Sequence, residues 1–134
     1  MALRSLRDLP FGVTVAARAE AVLGTALLAA GAAMARFAGP LSGTPTLFAA
    51  YGEGALAAIG MALAAAGLLD LAAAASLARA TEAGYVVAMG SAVVSISVTI
   101  HVLTLGFYAG AMNLFLNGAV AAYLLRWDVR QEYL

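Results

Sequence analysis

EGALAAIGMALAAAGLLDLAAAASLAR, residues 53–79, carries a single charge between its ends, Asp70, and no proline. A helix needs about 20 mainly apolar residues to cross about 30 Å of hydrocarbon. This stretch meets that length, and alanine and leucine are among the best helix formers. Working outward, residues 84–105 and 111–126 read the same way, and so do residues 11–37, which follow Pro10. Proline suits the first turn of a helix, where its missing N–H costs nothing. Only residues 106–110 separate the third segment from the fourth, which makes them a tight hairpin. Residues 38–52 join the first two segments and hold Pro40, Gly43 and Pro45, so they are not helical throughout. Leu47, Phe48 and Tyr51 in that loop are expected along the membrane interface. The fold expected is all-α: one domain, residues 1–134, a four-transmembrane-helix bundle of two hairpins.

Composition agrees. The chain is 64% hydrophobic and 10% charged, with mean hydropathy +0.96. Soluble domains carry about 25% charged residues, so this chain has too little charge to cover a soluble surface. Net charge is zero without an acidic or basic block, which implies neither nucleic acid nor a strongly charged partner. The lack of cysteine removes disulfide and thiolate chemistry. Every basic residue is arginine, and alanine abounds, a bias of GC-rich codons that points to a prokaryote.

Orientation follows arginines in short loops. With four spans, Arg4, Arg7, Arg79, Arg126 and Arg130 fall on one side and only Arg36 on the other, so both termini are expected in the cytoplasm of a plasma-membrane protein. Tyr51 and Tyr108 would lie at the outer ends, with Tyr85, Tyr123 and Trp127 at the inner ends. A cleaved signal peptide would use Arg4 and Arg7 followed by an apolar core, but Arg18 and Glu20 interrupt that scheme. The alternating tails, Leu3 to Leu9 and Trp127 to Tyr133, suit anchoring on the inner leaflet.

Residues 23–31, LGTALLAAG, echo residues 59–67, IGMALAAAG, each with two glycines seven apart on one helix face. Small residues let membrane helices approach closely. Glu20 shares the glycine face of the first segment and Asp70 that of the second, so both carboxylates should face the bundle. Arg18 lies about 200° round the helix from Glu20 and can snorkel to the headgroups. Arg18, Glu20 and Asp70 all sit roughly 10–14 Å inside the cytoplasmic ends of their helices. Ser91 and Asn117 fall near the same depth, which predicts an intramembrane polar layer of these five residues.

Such a layer has two readings. It can register the bundle, with Arg18, Ser91 and Asn117 holding the carboxylates. Alternatively, two carboxylates side by side in hydrocarbon cannot readily both stay ionised, so they would hold a proton or an ion. A second stripe, Ser97, His101, Thr104 and Tyr108, follows one face of the third segment, with Asn113 opposite. His101 is the single histidine, which leaves no bis-histidine haem or His-rich metal site within one chain. Ser95 and Thr99 are expected to bond back to their own helix. There is no phosphate-binding glycine loop, zinc signature or nucleophile elbow.

The chain ends, LPFGVTV at residues 9–15 with Glu20 after it and AYLLRWDVRQEYL at residues 122–134, resemble small prokaryotic four-helix membrane proteins of uncharacterised function. These begin with an LP-x-GVT pattern and close on YYL-x-x-PxV-K-x-YF. Trp127 stands where proline is usual and Leu134 where an aromatic is usual. Residues 78–85 replace the basic, Trp-containing inner loop common in the family. The resemblance implies a four-span fold with cytoplasmic ends and transfers no activity. The expectation is a non-enzymatic structural or accessory component without cofactor or metal. Its partners would be the lipid bilayer and a homo-oligomer or larger membrane complex. The second reading is an oligomeric transporter or ion- or proton-conducting protein using Glu20 and Asp70.

Overall fold

The apolar runs fold as helices. The computed structural model describes residues 11–45, 47–79, 81–104, 110–126 and 129–131. Helices α1 (Phe11–Arg36), α2 (Ala38–Ser42), α3 (Glu53–Ala78), α4 (Glu82–Thr104) and α5 (Ala111–Leu124) are joined by a 3-10 turn at Leu47–Ala50 between α2 and α3. No strand occurs among the described residues.

Three helices, α1, α3 and α4, with 26, 26 and 23 residues, are long and apolar enough to cross a membrane. The fourth apolar helix, α5, is shorter than expected. Its 14 residues end at Leu124 because the backbone turns at Leu125 and Arg126. At 1.5 Å per residue it spans about 21 Å, short of a full hydrocarbon core. In α4 the helix starts two residues before the expected point. Thr81 Oγ1 accepts the Gly84 N–H at 3.0 Å and caps the helix, with Glu82 in its first turn against the positive end of the dipole.

Glycine decides how α1 meets α3. A Cβ on Gly67 would stand 2.6 Å from Gly24 O, and one on Gly24 2.8 Å from Gly67 O. One turn-pair along, a Cβ on Gly60 would stand 2.6 Å from Gly31 O. The two helices therefore run antiparallel with backbone on backbone at Gly24–Gly67 and Gly31–Gly60. This reciprocal pairing accounts for the sequence echo: a local two-fold between antiparallel helices uses the same glycine spacing on each. Around the bundle, α3 packs on α4 and α4 on α5, while α5 returns to α1 only sparsely.

The core is split in two. One apolar cluster holds Val13, Ala17, Leu77, Tyr85, Val120 and Leu124 at the end where α1 begins and α5 finishes. The other holds Leu27, Met34, Leu56, Ile59, Leu63 and Val102 at the α2 end. Phe48 and Tyr51 pack against the second cluster, so the loop folds onto the bundle end. Tyr85 is buried and donates its hydroxyl to Leu124 O at 2.7 Å, satisfying a carbonyl at the C-terminus of α5 instead of sitting in an aromatic belt.

Candidate functional site

Between the two apolar clusters lies a polar layer drawn from α1, α3, α4 and α5. Glu20 of α1, Asp70 of α3, Ser91, Ser95 and Thr99 of α4, and Asn113 and Asn117 of α5 are all buried, and Glu20 and Asp70 are each 0% exposed. The glycine contacts put them there. Asp70 lies against Gly24, one turn from Glu20: a Cβ on Gly24 would stand 3.0 Å from Asp70 Cβ. The carboxyls of Glu20 and Asp70 are neighbours, as their matched depth and shared glycine faces predict.

Their hydrogen bonding is unequal. Asp70 Oδ1 accepts Ser95 Oγ–H and Asn117 Nδ2–H, each at 3.0 Å. Asn117 also donates to Asn113 Oδ1 at 2.9 Å, and Asn113 donates to Thr99 Oγ1 at 2.8 Å and Ser95 Oγ at 3.1 Å. Thr99 returns its own hydroxyl to Ser95 O at 2.7 Å. Asp70 is thus tied to both α4 and α5. Neither oxygen of Glu20 receives a donor, nor does Asp70 Oδ2 or Asn117 Oδ1. Four buried acceptors are therefore unmatched within one layer. Ionised carboxylates only accept, so the two acids can bond to each other only through a proton, and otherwise only through a cation.

Several expected members move. Arg18 is exposed on the outer side of α1 and holds neither carboxylate, because two residues of helix turn it away from Glu20. Ser91 is buried, but the bonds of the layer run through Ser95 and Thr99. Of these two, Thr99 bonds to its own helix as expected, whereas Ser95 reaches across to Asp70. The outer stripe does not converge. Ser97, His101 and Thr104 are exposed, with Ser97 bonded to Val93 O and Thr104 to His101 O. Asn113 leaves that stripe for the buried layer, while Tyr108 lies outside the described residues. The face was legible from spacing, but its direction was not, since α4 packs through Ser91, Ser95, Thr99 and Val102 instead. Ser95 and Thr99 were detectable as the small polar residues on the Ala88–Ala92 face of α4.

Among the described residues no three His, Cys, Asp or Glu side chains converge, so the layer offers oxygen ligands from two carboxyls, two amides and three hydroxyls. The class defined is a helical bundle with three candidate membrane-spanning helices and a buried dicarboxylic layer. Comparison with protein-family models, curated proteins and solved structures returned no match to this chain.

Proposed function

We propose that this chain is a multi-pass plasma-membrane protein whose Glu20–Asp70 pair reversibly binds one proton or monovalent cation. It works as an ion-linked component of an oligomer or a larger membrane complex. The observation that carries this reading is the orphaned Glu20 carboxyl, fully buried beside Asp70 with no donor on either oxygen. As glue alone, such a group is a poor choice, because burying an unpaired acceptor costs stability. The scaffolding role expected from the sequence belongs to Asp70, whose bonds to Ser95 and Asn117 register three helices. Glu20 is left to exchange. Four spans with both termini in the cytoplasm remain the arrangement this reading uses, supported by the arginine distribution. The step is binding and release of a cation, with no covalent chemistry.

Proteoliposomes carrying a pH-sensitive dye test it under an imposed potential, with and without a sodium gradient. The parent protein should dissipate the gradient, and Glu20→Gln should not, with helicity and elution volume unchanged. A hydrophobic carbodiimide, which attacks protonated carboxyls in apolar surroundings, should modify Glu20 or Asp70, and added sodium should slow it only if sodium competes for the site. Equal flux in parent and Glu20→Gln, together with no carbodiimide adduct, would return the layer to a purely structural role.

A further inference from the structure

Helices α1 and α5 meet where Tyr123 packs over Gly12, leaving no room for a Cβ there. Between Val15 and Ala26 of α1 and Met112 to Leu116 of α5 runs a groove of about 730 Å³. Its walls include Val15, Val22 and Leu23 of α1 and Met112, Phe115 and Leu116 of α5. Among the described lining residues Arg18 is the one that carries a charge, in the half of α1 nearer its start. The volume falls within the range of about 300–1,000 Å³ typical of small-molecule sites.

Arg18 holds a permanent charge inside an apolar span and lacks a carboxylate among the described residues. Glu20 and Asp70 are turned into the layer, and Glu53 and Glu82 lie in the first turns of α3 and α4. A second copy of this chain could offer the groove an apolar helix, but its described intramembrane carboxylates are buried in its own core. One kind of partner brings both a long apolar body and an anion to its end. We infer that the α1–α5 groove binds an anionic phospholipid, with its phosphate on the Arg18 guanidinium and an acyl chain along Val22 and Phe115. The guanidinium fork matches phosphate oxygens in pairs, and its stem lets the charge reach headgroup depth. The inference rests on the bilayer placement of α1, not on cation exchange at Glu20.

Nanodiscs holding equal phosphatidylglycerol and phosphatidylcholine, with retained lipid identified by native mass spectrometry, provide the test. The parent should retain phosphatidylglycerol preferentially. Arg18→Gln should lower that retention roughly fivefold, the effect of about 1 kcal/mol per arginine at an anionic surface, and Arg18→Lys should restore most of it. Ala26→Trp, which fills the groove and leaves the charge in place, should also expel the lipid. Glu20→Gln should leave retention unchanged even if it abolishes flux, which separates this inference from the proposed function. Equal retention of both lipids, or retention indifferent to both Arg18→Gln and Ala26→Trp, would overturn it. So would a disulfide between two Val22→Cys copies, which would put a second chain in the groove.

Discussion

Glu20 and Asp70 are equally buried but unequally bonded. Asp70 accepts two hydrogen bonds that cross to α4 and α5. Interhelical bonds in membranes average about 0.6 kcal/mol and reach about 1.7, so Asp70→Ala should cost about 1–3 kcal/mol. Glu20 receives no bond from α4 or α5, and its link to Asp70 requires a shared proton or cation. Replacing it by leucine removes a buried, unmatched acceptor, so Glu20→Leu should fall within about 1 kcal/mol of the parent or exceed it. Denaturing-detergent titration in mixed micelles, followed by circular dichroism, separates the two. A loss in Glu20→Leu as large as that in Asp70→Ala would mean that Glu20 is held as firmly as its neighbour. Spacing alone placed both acids on bundle faces and at one depth, because helical period and rise are constants. It could not say which acid would receive donors, since that depends on where α4 and α5 turn their polar faces.

At the scale of the element, the α1–α3 pair tests whether glycine is needed for contact or merely tolerated. Gly67 and Gly90 are both helical, but a Cβ on Gly67 meets the α1 backbone at Leu28 and Gly24 while one on Gly90 meets nothing within 4 Å. Gly67→Ala should push α1 and α3 apart and cost about 1–3 kcal/mol, as overpacking does. Gly90→Ala should stabilise by up to about 1 kcal/mol through helix propensity. The same titration reads both, and equal effects would contradict backbone-on-backbone packing. Flux should also fail in Gly67→Ala with Glu20 intact, because moving α1 away from α3 separates the two carboxyls. The glycine echo was visible in the sequence, but its antiparallel pairing, Gly24 to Gly67 and Gly31 to Gly60, was not. A repeated spacing is compatible with many partners, and only assembled backbones show which glycine faces which.

For the whole molecule, the absence of cysteine turns topology into a clean measurement. Gly43→Cys in the turn after α2 should react with a membrane-impermeant maleimide in intact cells. Ala83→Cys at the start of α4 and Gln131→Cys near the C-terminus should react only after permeabilisation. Reaction of Gln131→Cys from outside would place the C-terminus on the far side and count three spans, the number of helices long enough to cross unaided. The layered plan, an apolar cluster at each end and polar groups between, also belongs to this scale. The two clusters flank the carboxyl pair along the bundle axis.

The sequence by itself determined the all-helical class, the long apolar helices and their limits to within a few residues, and the faces that carry Glu20 and Asp70. Those properties follow from composition and from a 3.6-residue period, which are local. Tertiary structure decided the rest. It turned Arg18 outward into the α1–α5 groove and drew Asn113 from the outer stripe into the layer. It also brought Ser95 across to Asp70 and left Glu20 without a donor. The reason is rotation: each helix carries polar residues on more than one face, and only packing against its neighbours selects the one that is buried.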